Sequence, residues 1–277
     1  MPERWTSRAS TVTYFLLVYG VGGLCLVGLV APVVIALLMS LTSGNTLQFP
    51  PPGLSLRWYT ALFDPVVSHQ EQIAAWNTVK IAVLTVVAAL IFAVPASYGM
   101  VRIRARTANA IEPLFLAPLV LPSLVFGLGL LITANLLGIS PSTGLVVVGH
   151  VVVFGPLMYR ATAGMAARLD PSLEEASSLL GATRLGTFRR VTLPLLLPGI
   201  LAGVFLVFMQ SIDNVTITLF LASPETTILP LRMFAMLEDA LDPRIAAISG
   251  VLIALAVLVL VAVQRLAPML RNSQSER

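Results

Sequence analysis

Long stretches without any charged residue are the feature that most constrains how this chain can fold. No charged side chain occurs between Arg8 and Arg57, and the apolar part of that gap, residues 13–41, is about 28 residues long. A helix of that length crosses the hydrocarbon core of a bilayer with some tilt. A cleavable signal peptide is the alternative, but its apolar region would have only about 7–15 residues, and no small-residue cleavage pattern follows here. We therefore expect a membrane-spanning helix.

The rest of the chain repeats this pattern. Four further uncharged stretches cover residues 81–101, 113–159, 191–212 and 245–264. The second of these is about 47 residues long, and the turn sequence at 138–144 divides it into two spans. Only 11% of the residues are charged, less than half the share of a soluble domain, and the mean hydropathy is +0.92. The sequence predicts an all-α, polytopic membrane protein with six transmembrane helices.

The basic residues predict the orientation. With both termini on the inner side, 13 of the 17 basic residues are cytoplasmic, and only Arg57, Lys80, Arg232 and Arg244 lie outside. The expected division is a cytoplasmic N-terminus (1–12), a first transmembrane helix (13–41), a periplasmic loop (42–75), a core of five helices (76–265) and a cytoplasmic C-terminus (266–277). The 42–75 segment is expected to hold an extended loop and a short interfacial helix with Trp58 and Tyr59 at headgroup depth.

The sequence contains no pattern that indicates catalysis or a cofactor. Cys25 is the single cysteine, and His69 and His150 are far apart, so no metal-ligand cluster is visible. The only lysine, Lys80, has no P-loop glycines before it, so the chain cannot bind ATP as a P-loop protein does. The basic residues are dispersed, which argues against a nucleic-acid partner. We expect a non-catalytic membrane subunit without cofactor or metal.

Prolines and small residues interrupt several of the predicted spans. The prolines are Pro95, Pro118, Pro122 and Pro156, and the small pairs, spaced four apart, are Gly199 with Gly203 and Ala246 with Gly250. A proline inside a membrane helix either bends it beside a cavity or is a simple packing kink, and the sequence leaves both interpretations open. The small pairs indicate close contacts between helices.

One polar segment between two spans has the features of a bent pair of helices. Asp170 and Pro171 are suited to the N-cap and first position of a helix, and Glu174 and Glu175 lie near its positive end. Gly181 stands where a left-handed residue would end this helix after about ten residues. We call residues 168–190 the elbow. Its simplest alternative is an amphipathic loop that lies among the lipid headgroups.

The second half of the elbow is expected to be a separate short helix. Thr183 can cap it, it is expected to run through Arg190, and Leu193-Pro194 then opens the fifth span. An elbow held between two spans could transmit force from a soluble partner into the membrane.

The elbow resembles the EAA loop of permease subunits in binding-protein-dependent ABC importers. The matching residues are Glu175-Ala176-Ser177, Gly181, Phe188, Val191 and Leu193-Pro194. Ser177 stands in place of the second alanine, which is a small-for-small change. Weaker similarities at residues 76–78, 95–98 and 118–122 extend the resemblance to about residues 70–265. It implies the type I permease fold of ABC importers and a location in a bacterial inner membrane.

The resemblance also implies partners. The elbow would be the coupling helix that docks on an ATP-binding cassette subunit, with these residues at the contact: Glu174, Glu175, Ala176, Ser177, Gly181, Phe188, Arg189, Leu193 and Pro194. The other implied partners are the second ATPase copy, a second permease subunit and a periplasmic or lipid-anchored solute-binding protein.

The substrate is suggested by residues 211–221 and 227–233, which resemble the second permease of spermidine/putrescine-type systems. Relatives in that branch handle aminoethylphosphonate, thiamine or ferric iron. Asp213 lies in the outer half of the fifth span, where a carboxylate is costly unless it faces a cavity or a partner. With Asn214 and Thr216 it is expected either to meet a cationic solute or to bond a neighbouring helix, and Arg232 is a candidate counter-ion. An ion-coupled secondary transporter that uses Asp213 is the alternative from another class.

Overall fold

A computed structural model describes residues 3–275 apart from Pro224; the side chains of 3–12, 240 and 266–275 are not part of that description. The main helices are α1 (Glu3–Ser40), α2 (Arg57–Phe63), α3 (His69–Met100), α4 (Ala105–Leu116), α5 (Ser123–Leu136), α6 (Thr143–Ala166), α7 (Pro171–Leu179), α8 (Arg184–Thr187), α9 (Leu193–Asp213), α10 (Thr216–Leu221), α11 (Leu229–Ala240) and α12 (Arg244–Ser275). Helices thus dominate the described part of the chain, as the all-α prediction requires.

The helices confirm a multi-pass membrane architecture. Five of them are long and apolar enough to cross a bilayer: Thr13–Ser40, His69–Met100, Thr143–Ala166, Arg184–Asp213 and Arg244–Arg265. The sixth predicted span is a broken one, because Ala105–Leu119 and Ser123–Leu136 meet at 97°. Pro122, the N-cap of α5, lacks an N–H group and disfavours helical geometry in the residue before it. The count is therefore six when the bent pair is taken as one span.

The helix ends differ from the predicted boundaries in three places. α3 begins at His69, inside the segment expected to be a loop, and α1 begins at Glu3, inside the expected N-terminus. α12 continues to Ser275 through residues expected to form a tail. Helices extend beyond the apolar spans because their ends need no lipid contact, and residues 1, 2, 276 and 277 lie outside the described part.

Residues 1–68 and 236–253 form one compact unit. After α1 the chain folds back on itself, with the Ser43 amide donating to the Gly53 carbonyl at 2.9 Å. The hydroxyl of Tyr59 in α2 donates to Ser40 Oγ at 2.7 Å, and Trp58 Nε1 donates to the carbonyl of Gly44 at 3.1 Å. α2 is the short helix that was expected here, and its aromatic residues are anchored by polar contacts.

The second unit comprises residues 69–235 and 254–277. Its core forms where α3, α6 and α9 pack together, and α10 packs against α5 and α6. Val153, Met158 and Tyr159 of α6 are among its most buried side chains. An apolar cavity of about 540 Å³ lies between α3, α4 and α6, and both Pro118 and Pro156 line it. These two prolines therefore lie beside a cavity.

Two glycines let α9 lie directly on α6. A Cβ atom at Gly199 would come within 2.6 Å of the Ala161 carbonyl oxygen, and one at Gly203 within 2.9 Å of the Met158 Cα. Real Cβ atoms do not approach backbone so closely, so α9 could not take this position with any larger residue. The small pair predicted at 199 and 203 thus marks the α6–α9 contact.

Gly199→Ala is expected to destabilise the unit, because the added methyl group meets backbone that cannot move aside. Overpacking of this kind costs about 1–3 kcal/mol, against which the better helix propensity of alanine offsets up to about 1 kcal/mol. The midpoint of thermal unfolding in detergent would measure this. Gly164→Ala is the matched control in α6, since nothing lies within 4 Å of its would-be Cβ. Equal midpoints for both variants would contradict the close contact.

Candidate functional site

The first half of the elbow has the predicted geometry. Asp170 is the N-cap of α7 and accepts a hydrogen bond from the Ser172 amide at 2.9 Å. That hydrogen bond holds the pKa of the exposed Asp170 carboxyl below its usual range. Gly181 follows α7 with φ of +82°, a left-handed conformation that favours glycine. The chain therefore turns sharply at the predicted glycine.

The second half of the elbow differs from the prediction. Thr183 caps α8 and accepts from the Gly186 amide at 3.1 Å, as expected. However, the helix does not end near Arg190: a π-helical turn, Phe188–Thr192, joins α8 to α9, and the segment Arg184–Asp213 is one continuous helix. Pro194 has no N–H to donate to the preceding turn, and a wider turn next to it accommodates that missing bond. The elbow is therefore directly continuous with the fifth span.

A single carboxylate oxygen joins the elbow to the end of α3. Oε1 of Glu174 accepts from Arg102 Nη2 at 2.6 Å, from the Tyr98 hydroxyl at 3.1 Å, and from Thr192 Oγ1. The Arg102 guanidinium also lies over the Tyr98 ring, 3.5 Å from its centroid. Contacts of this kind between a charged acceptor and several donors are the strong ones in proteins. Glu174 therefore holds α7, α9 and the end of α3 together.

The electrostatics of Glu174 follow from these contacts. Burial by itself would raise the pKa of the carboxyl, but the hydrogen bonds from Arg102 and Thr192, the Arg102 charge and the Tyr98 hydroxyl together outweigh it. The pKa of Glu174 therefore lies below its ordinary value, and the group is ionised at neutral pH.

The nine predicted contact residues in and next to the elbow fall into three groups. Glu174, Ser177 and Phe188 make contacts within the chain: Ser177 Oγ lies 2.9 Å from Thr187 Oγ1, and the Phe188 ring packs edge-on against Tyr98 with centroids 5.2 Å apart. The residues on the exposed side are Glu175, Ala176, Gly181 and Arg189, while Leu193 and Pro194 are half-buried. The elbow therefore has an anchored face and an open face.

The open face combines apolar and basic character. Leu179 and Leu180, at the end of α7, are each 89% exposed. Beside the Gly181 bend lies a groove of about 720 Å³, whose lining includes Leu180, Arg189 and Arg190. Exposed leucines next to a basic concave surface are typical of a surface that another protein covers.

The second predicted site lies at the far end of α9. Asp213 is the last residue of α9, and residues 214 and 215 separate it from α10. Its carboxylate is exposed and makes no hydrogen bond or ion pair with any described residue. Asn214 Oδ1 accepts from the Ile217 amide at 2.9 Å and so begins α10, and Thr216 is half-buried in its first turn. We call residues 213–215 the α9–α10 break.

The counter-ion hypothesis for Asp213 is wrong. Arg232 pairs instead with Glu71, whose Oε1 lies 3.2 Å from both Nε and Nη2. Glu71 is buried at the start of α3, so it requires a cationic partner there, and the arginine of α11 supplies it.

A buried histidine lies behind the break. His150 of α6 is 1% exposed; its Nδ1 is 2.8 Å from Ser211 Oγ and its Nε2 is 3.1 Å from Thr218 Oγ1. Both ring nitrogens are therefore occupied by hydroxyl groups. No group of three metal-ligating side chains occurs among the described residues.

Participants in these sites that the sequence analysis does not assign a role include Tyr98, Arg102 and His150. Tyr98 and Arg102 are four residues apart, a spacing that places two side chains on one helical face and could have signalled a joint role. His150 was considered only as a metal ligand, because its partners, Ser211 and Thr218, come from a distant part of the chain.

Comparison with protein families places this architecture in a known group. Residues 85–272 match the model for "Binding-protein-dependent transport system inner membrane component". The putrescine transport system permease protein PotI of Escherichia coli (strain K12) is 31% identical over 210 residues, which cover 73% of each chain. The spermidine/putrescine transport system permease protein PotC of the same strain is 26% identical over 215 residues, covering 78% of this chain and 80% of PotC.

Two other similar proteins have names that indicate different solutes. The molybdenum transport system permease protein ModB of Mycobacterium bovis is 33% identical over 214 residues, covering 72% of this chain and 80% of ModB. Among solved structures, a bacterial ABC transporter involved in the import of the acidic polysaccharide alginate matches with a TM-score of 0.69 at 16% identity, covering 97% of this chain and 98% of that one. The fold is that of ABC importer permeases.

Glu174→Gln is expected to lower the stability of the permease, because the charge that three donors share is lost. Hydrogen bonds to charged groups contribute about 1.5–3 kcal/mol each, and with the partial exposure of this site we expect a total loss of about 1–3 kcal/mol. The thermal unfolding midpoint in detergent measures it, and Glu175→Gln, at the exposed neighbour, is the control.

The pH dependence of the unfolding midpoint, compared between wild type and Glu174→Gln, tests the charge of Glu174. Because the pKa of Glu174 is lowered in the folded state, its contribution is present above the ordinary value of 4.5 and is lost as the pH falls through the lower folded value. The difference between wild type and Glu174→Gln should therefore be full at about pH 7 and shrink below about pH 4.5. A difference that stays constant across this range would contradict the ionised, three-donor arrangement.

Proposed function

Because the chain belongs to the family of inner membrane components of binding-protein-dependent transport systems, we propose that it forms half of the pathway of an ATP-driven importer for a small cationic solute, with putrescine and spermidine as the first candidates. A separate ATPase dimer would supply the energy. A second permease subunit would complete the pathway, and a periplasmic or lipid-anchored binding protein would deliver the solute. Both termini and the elbow would be cytoplasmic.

The two-faced elbow is the observation that carries this proposal. Its open face, with Glu175, Leu179, Leu180 and Arg189, would dock on the ATPase subunit. Its anchored face is fixed to α3 through Glu174. When the ATPase dimer closes and pulls the open face, the displacement passes both into α3 and along the continuous helix Arg184–Asp213. Alternating access would follow from the movement of these helices.

The cationic solute is supported by the carboxylate at the break. An exposed Asp213 at the end of a membrane helix is unfavourable against lipid, on the order of 2.5–3.5 kcal/mol at the membrane centre and less toward the edge, so it would face the pathway or the partner permease. Asn214 and Thr216 lie beside it and offer polar groups to a bound amine. The names of PotI and PotC point to the same class of solute.

The similarity to ModB supports a second candidate, a molybdenum-containing anion. An unpaired carboxylate in the pathway would repel an anion, and this favours the cationic solute. Solutes of related permeases, such as aminoethylphosphonate, thiamine or ferric iron, are the further alternatives. An ion-coupled secondary transporter is less well supported, since it would have no use for a surface that docks an ATPase, and the nearest acidic residue to Asp213 in the sequence is Glu225.

Gly181→Asp is expected to abolish copurification of the ATPase subunit, because it strains the left-handed bend and adds a negative charge beside the arginine-lined groove. The matched control is Gly138→Asp, at the other glycine that has positive φ (+71°) and, like Gly181, nothing within 4 Å of its would-be Cβ. This control should insert and bind the ATPase normally. If both variants copurify the ATPase at wild-type yield, the elbow is not the docking surface.

ATP-dependent uptake of radiolabelled putrescine is expected in vesicles that contain the permeases and ATPase with the binding protein added. Asp213→Asn should raise the KM for putrescine about tenfold or more, because a charge-assisted contact is lost, while the ATPase still copurifies. Competition by molybdate but not by spermidine would favour the second candidate. Uptake driven by a proton or sodium gradient without ATPase would overturn the importer proposal itself.

A further inference from the structure

We infer that His150 is a positioning residue: it ties the two sides of the α9–α10 break to α6 and thereby holds Asp213 on the exposed side of that break. The observation is one buried imidazole with one partner before the break, Ser211, and one after it, Thr218. The consequence for transport rests on the proposed function, whereas the consequence for the shape of the break does not.

The hydrogen bonds around His150 have one self-consistent direction. The Thr218 hydroxyl donates to the carbonyl of Asn214 at 3.0 Å, so its single proton is already used. Thr218 Oγ1 must then accept from Nε2–H of the imidazole. Nδ1 is consequently the acceptor, and the Ser211 hydroxyl donates to it. The chain of donors runs from Ser211 through His150 and Thr218 to the backbone of the break itself.

The α6 side of the break is buried and closely packed. Ser211 and Thr218 are both buried, and a Cβ at Gly149, next to His150, would come within 2.7 Å of Leu221 and 3.0 Å of Ile217. α10 therefore lies directly on α6 at that point. Only the opposite side of the break is open, and Asp213 is on it.

This arrangement replaces the bonds that a continuous helix would make. At residues 214 and 215 the backbone leaves the helical path, and its polar groups need other partners inside a membrane. The Asn214 carbonyl receives the Thr218 hydroxyl, and His150 fixes that hydroxyl from the other side. Loss of the imidazole would remove the hydrogen-bond partner that Ser211 and Thr218 share. Residues 213–215 would then be free to adopt other conformations.

The first experiment measures the position of residue 213 directly and needs no solute. In the full transporter with Cys25→Ala, the thiol introduced by Asp213→Cys is labelled with a membrane-impermeant maleimide, with and without His150→Phe. We expect His150→Phe to change the labelling rate about 5- to 30-fold, the factor that corresponds to two lost hydrogen bonds. An unchanged rate in an assembled transporter would overturn the inference.

The second experiment separates positioning from packing through putrescine uptake. His150→Phe should raise the KM for putrescine about 5- to 30-fold while the ATPase copurifies normally, and this effect should vanish in the Asp213→Asn background because both act through one carboxylate. If Asp213→Asn alone leaves KM unchanged, the proposed solute site fails while the labelling result still decides the role of His150. If Asp213→Asn changes the KM for putrescine and His150→Phe raises it by the same factor with or without Asp213→Asn, His150 does not act through Asp213. The positioning role would then be wrong.

Milder variants cover the case in which His150→Phe does not assemble. Thr218→Val and Ser211→Ala each remove one hydroxyl partner of the ring and should each change the labelling rate about fivefold. Thr162→Val is the matched control, since its buried hydroxyl has no hydrogen-bond partner among the described residues. If Thr162→Val alters labelling as much as Thr218→Val does, the effect comes from core packing, and the inference is wrong.

Discussion

Most polar groups buried inside a membrane protein find their partners within the protein, and this tendency explains most of the contacts described above. Thr78 of α3 receives the Leu229 amide at 2.8 Å, Glu71 binds Arg232, and His150 uses both ring nitrogens. Each of these contacts joins segments that are distant in sequence, because lipid offers no alternative partner. In a helical membrane protein, the polar pairs thus fix which helices are neighbours, while small residues such as Gly199 determine how closely they approach.

The Asp213 carboxylate is an exception to this pattern of internal pairing. Glu71 and Glu174 are each paired with an arginine, whereas the Asp213 carboxylate has no partner in the described chain. A solute or a neighbouring subunit is the partner that a transporter can provide, and a membrane anchor or a packing helix would have no reason to retain the charge. The same comparison separates Glu174 from Glu175: they are adjacent in α7, but Glu174 is half-buried and paired while Glu175 is exposed.

Local features of this structure could be predicted from the sequence, and long-range ones could not. The Asp170 cap, the Gly181 bend and the spans follow from rules about neighbouring residues, and the structure agrees with them. The continuity of α8 with α9 was missed because Leu193-Pro194 is typical of a helix start, while a π-helical turn allows the helix to pass through it. The partners of Arg232 and His150 depend on which helices meet, and a single sequence contains no direct signal of that.

The continuous helix Arg184–Asp213 relates the two candidate sites physically. Its 30 residues correspond to about 45 Å, which exceeds the hydrocarbon thickness of a bilayer, so the elbow and the break lie near opposite membrane faces. A helix transmits displacement along its length only if its ends are held to neighbours in defined ways. Glu174 holds the elbow end to α3 and His150 holds the break end to α6, with Gly199 and Gly203 seating the helix on α6 between them. Under the proposed function, a pull on the elbow would therefore reach the break as a movement of packed helices.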